Sequence, residues 1–517
     1  MKMTRFILRS RIATVLFAGV VVLQVAGAAP RHPNAASLSK NSREIFETAM
    51  QWGDQYYDAK ANLCRMPPSP QYAEAHLPAY LAVRESAWYA VGLLLRDGSG
   101  DRERAAQILN IVLSAQYREP GKPWDGTFRR TPAEPEPGAQ AVIWHAYDPN
   151  WREFVGTTFA VILNEYPNRV SEDLRKRMID AIDYAIAGEM KQGRLAPSYT
   201  NISLMYGFLW EFAAVRGGKP EWKPQAEQWQ KTTYDLYKQH DAFFEYNSPT
   251  YSGVDIFGLA LWRDYALTPL MRKRGSEMEA GLWRTTADLY NANLRNISGP
   301  FDRAYGMDMQ SYVSVMGLWL RTVLDADHAP LTSFNPPVDH IPDLWIAPLI
   351  VVLDTRIPPD AMAAFESFPG EHQVRRPIAD QRIATAWIGK TVIYGGEITG
   401  HTRDVDAQSQ FHAVTVQWQA PEGKIGWIQL TRSPAIDAVA DQSGIAISAA
   451  GDVSFRISAP AITSSDATQS QWNLPGLTVC VKTDAKSFVA TKHGPFVDVE
   501  YKGITSMQLT MACGSPK

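Results

Sequence analysis

Cysteine is scarce in this chain of 517 residues: Cys64, Cys480 and Cys513 are the whole supply. Three thiols cannot build a disulfide scaffold, and their spacing matches no zinc site. In an oxidising compartment Cys480 and Cys513 can pair within the C-terminal part, with buried free thiols as the alternative. Also missing are His-Glu-x-x-His, Gly-x-Ser-x-Gly, a P-loop and a dinucleotide fingerprint. The 10 histidines are scattered, so neither a metal nor a cofactor is expected. Charge of one sign is lacking too: 51 Lys and Arg face 54 Asp and Glu, a formal net charge of −3. A mildly acidic chain has no general basic footprint for nucleic acid, so positive charge for an anionic ligand must be local.

Long apolar runs are absent beyond the N-terminus. There, Lys2, Arg5, Arg9 and Arg11 precede an apolar stretch from Ile12 to Val25 and the small residues Ala26-Gly27-Ala28. The run is shorter than the roughly 20 residues a span needs, and the pattern is that of a cleavable signal peptide over residues 1–28. A secreted or periplasmic protein, soluble after cleavage and without a membrane partner, is expected. Removing four basic residues and no acid takes the formal net charge from −3 to −7.

The length favours two domains, and the apolar period changes along the chain. From about 43 to 328 the spacing is helical, with segments near 43–58, 80–96, 102–117, 152–166, 172–191, 201–216, 223–239, 254–266, 276–294 and 309–325. Asp101 and Ser171, each followed by early acids, read as N-caps. Consecutive helices without strands argue for a helical array or closed toroid, here placed at 35–330, broken by long loops at 118–150 and 294–308. A Pro-rich stretch at 331–380 reads as an ordered connector, because Trp345 to Ile350 is too apolar for a free linker. After about 380 the period becomes two, as in Ala413 to Trp418 and Phe496 to Tyr501, which predicts an antiparallel β-sandwich over 381–517. The expected class is α+β, multidomain.

Four polar and aromatic clusters fall on loops of the helical part. Residues 244–255 place Glu245, Tyr246, Asn247, Tyr251 and Asp255 around a Pro and a Gly, just before an apolar helix. Loops on a rigid scaffold are where sites are built, although a plain capped turn is the alternative, with Asn247 and Ser248 as caps. Residues 299–308 put Arg303 between Asp302 and Tyr305; an Arg there can pair with a substrate carboxylate or merely with its neighbour. Trp124, Arg129 and Arg130 precede His145, Asn150, Trp151 and Arg152. Tryptophan beside Arg, Asn and Asp suits sugar rings, the aromatic face stacking and the polar groups taking hydroxyls. Asn201 opens a helix, as a possible N-cap or a site residue.

A helical toroid joined to a β-sandwich, with Asn, Tyr and Arg on its loops, resembles the helical-toroid polysaccharide lyases acting on uronic-acid polymers such as alginate, glucuronan, hyaluronate and chondroitin. The resemblance implies an anionic polysaccharide or oligosaccharide substrate cleaved by β-elimination at a 1,4 linkage. Asn201 would match the Asn that neutralises the uronate carboxylate, Tyr251 or Tyr305 the catalytic Tyr, and Arg303 its assisting Arg. Many of these lyases also place a His shortly before the Tyr; here His240 lies too far upstream, leaving Asn247 or His145 to replace it. A Tyr, ordinarily with a pKa of about 10, needs positive charge nearby to act as a base. Arg303, two residues away, makes Tyr305 the first candidate and Tyr251 the second. A glycoside hydrolase using two of Glu245, Asp255, Asp302 and Asp308, and a non-catalytic glycan-binding protein, are the rival readings.

Overall fold

The computed structural model describes residues 31, 33–67, 80–334, 338–406 and 410–511. The signal segment expected at 1–28 and Cys513 lie outside the described residues. Cys480 is disulfide-bonded, and Cys64 is a buried free thiol.

The described α-helices are α1 (Lys40–Tyr56), α2 (Val83–Arg96), α3 (Asp101–Ser114), α4 (Trp151–Glu165), α5 (Glu172–Gln192), α6 (Thr200–Arg216), α7 (Lys223–Lys238), α8 (Tyr251–Tyr265), α9 (Pro269–Leu289), α10 (Val315–Arg321), α11 (Ala347–Leu353) and α12 (Pro359–Glu366). Helices α2, α4, α6 and α8 are buried on nearly every face. Their partners α3, α5, α7 and α9 bury less of their surface; in α7 a single stripe of Ala226, Gln230, Thr233 and Tyr237 goes inward. Burial all round marks an inner wall, and a single apolar stripe marks an outer layer. The inner helices pack in succession, α2 on α4, α4 on α6 and α6 on α8, and each also packs on the outer helix that follows it. Helices α10 and α11 join α8, α11 reaches α2, and α1 packs on α2, α10 and α11, so the ring closes into an (α/α) toroid.

Local chemistry sets the helix ends. The Ser171 side chain accepts from the Leu174 N–H, with Glu172 and Asp173 in the first turn and left-handed Gly193 at the other end of α5. Asp101 is not a cap, contrary to expectation. Left-handed Gly100 holds that position, and the Asp101 carboxylate accepts from the Gly98 N–H at 2.9 Å and pairs with Arg96. At the ring's closure, a Cβ on Gly253 of α8 would lie 2.4 Å from the Met316 nitrogen of α10, so only glycine permits that approach. The stretch 331–380, expected to be a connector, contains a 3-10 helix (Ile341–Ile346), α11, α12 and the strand His372–Ala379, so the β part begins before the expected 381; residues 335–337 lie outside the description. Among the described residues no helix is long and apolar enough to cross a membrane.

Small strands β1 (Tyr57–Asp58), β2 (Leu63–Arg65) and β3 (Leu81–Ala82), and the hairpin β4 (Tyr290–Asn291) and β5 (Asn296–Ile297), decorate the ring. The C-terminal part is an 11-stranded antiparallel sheet, β6 (His372–Ala379) to β16 (Phe496–Met511). Strands β12 (Gly444–Ser458) and β16 are long, and their pairing shifts register around Gly451. One half of β12 pairs with β11 (Ile436–Asp441) and the other with β10 (Ile425–Arg432), so the long strands pass from one layer to the other. Alternating inward residues fill the space between the layers, where Trp472 packs against Phe455 and donates to the Tyr501 hydroxyl at 3.0 Å.

The loop 299–308 fastens the two parts, alongside the β4–β5 hairpin, where Asn291 donates to the Gly389 carbonyl at 2.7 Å. Phe301 and His412 exchange backbone hydrogen bonds at 3.1 and 2.8 Å, and the Ala304 N–H donates to the Gln410 carbonyl at 3.0 Å. A Cβ on Gly395 would meet the Gly299 carbonyl oxygen at 1.9 Å, so the backbones touch there. Asp302 receives the Arg382 guanidinium through two bonds of 2.6 Å and also pairs with Arg403.

Candidate active site

A cleft of about 800 Å³ opens at the ends of the inner helices, where the ring meets the sheet. Its lining includes Tyr251, Tyr305, Arg303, Asn201, Asn150 and Glu245, from loops far apart in sequence.

Tyr251 is the first residue of α8. The N-cap Thr250 makes no side-chain cap bond; instead the Ser248 side chain accepts the Tyr251 N–H at 2.9 Å, satisfying one of the free N–H groups of the first turn. Asn247 has a left-handed backbone (φ 53°), and its amide donates to the carbonyls of Ser298 and Pro300 at 2.7 and 2.9 Å. That side chain ties the two reactive loops together and is not among the residues lining the cleft. Glu245 accepts the Thr200 N–H at the start of α6 (2.8 Å) and the Arg303 guanidinium (3.0 Å). Arg303 also donates to Gln410 at 3.1 Å and lies 3.6 Å above the Tyr251 ring.

The hydroxyls of Tyr251 and Tyr305 are in hydrogen-bond contact. Tyr305 is 42% exposed, whereas Tyr251 is half-buried. Burial raises the Tyr251 pKa well above its ordinary value, reinforced by Tyr305 and opposed by Arg303. Burial also raises Tyr305, against the hydrogen bond with Tyr251, which lowers it. The Arg303 charge, read from sequence as serving Tyr305 first, lies over the Tyr251 ring and opposes the effect of burial at both phenols. Beneath them Asp255 is fully buried, with one carboxylate oxygen unpartnered; burial and Glu245 raise its pKa well above the carboxylate range.

Asn201 lies on the first turn of α6, 1% exposed, and its side-chain N–H₂ has no hydrogen-bond partner. Asn150 donates to the Tyr199 hydroxyl at 2.9 Å, while its own amide oxygen is unpartnered. Unsatisfied buried amide atoms are costly unless a ligand meets them. A histidine does enter the site, from an unforeseen place. His340, at the start of the 3-10 helix, stacks on Tyr305 with ring centres 4.2 Å apart and lies 3.4 Å from the Asp343 carboxylate.

The remaining expected binding residues sit elsewhere. Arg130, His145 and Trp151 line a neighbouring cavity of about 550 Å³, which shares Arg84, Trp144 and Asp148 with the cleft. Arg152 is fully buried, pairing with Glu189 at 2.9 Å and donating to the carbonyls of Pro123 and Asp125. Arg129 lies over the Tyr117 ring and pairs with Glu136; Trp124 packs on Tyr147 and donates to Glu119 at 3.0 Å. Sequence reading missed Arg84, Trp88, His340, Asp343, Gln410 and Phe411. Arg84 and Trp88 sit four apart on an apolar helix and read as core, His340 lies in the Pro-rich stretch, and Gln410 and Phe411 belong to the β part. Among the described residues no three His, Cys, Asp or Glu side chains gather as metal ligands.

Residues 43–355 match a protein family described as "Domain of unknown function (DUF8769)". No curated protein matches the chain. Among solved structures, heparinase III is similar at 8% identity and a TM-score of 0.41, over 95% of this chain and 88% of that one. A second heparinase III gives 11% and 0.32, over 93% and 86%. The endoglucanase CelQ from Clostridium thermocellum, complexed with cellotriose, gives 10% and 0.27, over 92% and 84%. Likenesses this low assign no activity to the chain.

Proposed function

The chain belongs to the DUF8769 family, whose description carries no activity, and we propose that it is an exported polysaccharide lyase that cleaves a uronic-acid polymer by β-elimination. The observation that carries this reading is the contact of the Tyr251 and Tyr305 hydroxyls under Arg303, in a cleft that also holds the unpartnered Asn201 amide. The C5 proton of a uronate becomes removable when its carboxylate is neutralised. Asn201 offers a free amide N–H and Arg303 a charge for this, and both favour the developing enolate-like anion over the ground state.

Two tyrosines balance the protons. Tyr251, as the phenolate beneath Arg303, takes the C5 proton while C4=C5 forms and the C4–O4 bond breaks. Tyr305, the more exposed, gives its proton to the departing O4. A proton passing from Tyr251 to Tyr305 along their hydroxyl contact restores the starting state. His340, stacked on Tyr305, fixes that ring for the transfer.

The hydrolase reading draws less support, because each of its four carboxylates is engaged or out of reach of solvent. Asp302 is held by Arg382 and Arg403, and Glu245 by Arg303 and the Thr200 N–H. Asp255 is buried, and Asp308 accepts from Asn296 and the Gln310 N–H. Incubation with alginate, glucuronan, hyaluronate and chondroitin tests the proposal. Ultraviolet absorbance from a 4,5-unsaturated uronate is expected; new reducing ends without it would indicate hydrolysis, and binding without cleavage a glycan-binding protein.

A further inference from the structure

Building on the saccharide-cleaving reading, we infer that Trp144 carries a second sugar-ring subsite, so that the chain holds several successive residues of a polymer rather than the reacting linkage alone. The cleft and its neighbouring cavity meet at Arg84, Trp144 and Asp148, which line both. Trp144 is 54% exposed, and no other tryptophan among the described residues is exposed to that degree. An indole normally hides most of its surface.

This exposed ring stands on an anchored backbone. Trp144 has a left-handed conformation (φ 63°). Its N–H donates to the Tyr147 carbonyl at 2.8 Å, and its own carbonyl accepts from Arg130 at 3.2 Å. Arg130 also holds the His145 carbonyl at 2.7 Å and is itself paired with Glu134. Arg84 forms the shared wall, layered on the rings of Trp88, Trp151 and Phe154 at 4.6, 5.1 and 5.0 Å. A rigid backbone bearing a solvent-facing indole suits the C–H face of a pyranose, with Arg84 and Asp148 within the same walls for its hydroxyls or carboxylate. A sugar bound here lies one cavity away from the Tyr251–Tyr305 pair, so occupancy depends on chain length.

The test compares Trp144→Ala and Trp144→Phe with the native protein on size-defined oligosaccharides of whichever uronate polymer is cleaved. For hexamers and longer chains, Trp144→Ala should lower kcat/KM about tenfold through KM, and Trp144→Phe should recover most of it. The shortest cleaved oligosaccharide should lose much less. Equal losses at both lengths, or no loss, would overturn the subsite. If the native protein cleaves no uronate polymer, the elimination reading has failed separately. Calorimetric titration with the same polymers, cellulose oligomers and xylan then decides the subsite. Binding weakened about tenfold by Trp144→Ala upholds it; unchanged affinity, or no binding by the native protein, overturns it.

Discussion

The loop leading into α4 and the pair of loops around α8 hold the same kinds of residue and use them differently. Residues 118–152 carry Trp124, Arg129, Arg130 and Arg152, but their polar groups are consumed within the ring. Arg152 is fully buried between Glu189 and three backbone carbonyls, and Arg129 faces Tyr117 and Glu136. Residues 244–251 and 299–308 carry Glu245, Tyr251, Arg303 and Tyr305, which face a common cleft. The difference lies in what supports each loop. The first must satisfy its own backbone, since a long loop held against α5 has few other donors. The second is held by dedicated supports, Asn247 to the Ser298 and Pro300 carbonyls and Arg382 to Asp302, which leave the tyrosines available.

The sharpest way to break this contrast is at the tyrosines. Tyr251→Phe and Tyr305→Phe should each lower kcat about 10³-fold while substrate binding and thermal stability stay near native. Turnover retained by either variant would remove that hydroxyl from the proton path. Arg152→Met should do the reverse. Stripping Glu189 and three carbonyls of their buried partner should cost about 3 kcal/mol of stability in denaturant titration, with the folded fraction keeping native kcat. A specific loss of kcat without destabilisation would place Arg152 in the site.

Arg303→Lys should lower kcat by about 10² and alter the pH profile. Both phenols are raised by burial, so the phenolate base is scarce near neutrality and kcat/KM should climb as pH rises. Losing the planar charge over Tyr251 should move that alkaline limb higher; an unmoved limb would separate Arg303 from the base. The smallest effect is expected at Asp255. Its folded pKa is raised, so above the ordinary carboxylate value the native state keeps a proton that the unfolded chain has released. Stability therefore falls as pH rises above the ordinary carboxylate value, by at most about 1.4 kcal/mol per pH unit for one group. Asp255→Asn should flatten that slope and raise Tm at pH 7 relative to the native protein. Unchanged slopes would mean that Asp255 is ionised.

Several parts of this arrangement were legible without coordinates. The change of apolar period along the chain signals that helices give way to strands, although the first strand of the β part starts at His372, before the period change near 380, and Ser171 with its following acids does cap α5. The loops bearing Tyr251, Arg303, Asn150 and Asn201 could be singled out because polar and aromatic residues interrupt helical spacing there. The purpose of individual residues was less legible. Asn247 stood out as reactive and is a strut, while Arg84 and Trp88, hidden in a helical stripe, line the cleft.

The sequence by itself determined the two kinds of secondary structure and the segments rich in reactive side chains, because periodicity records which face of each element avoids water, a local property. Only the tertiary structure decided that Arg303 lies over the Tyr251 ring, that His340 supplies the ring against Tyr305, and that Gln410 and Phe411 arrive from the β part. Those meetings depend on how the toroid closes and how the 299–308 loop is strapped to the β part. Packing between elements distant in the chain sets both, and no local pattern encodes it.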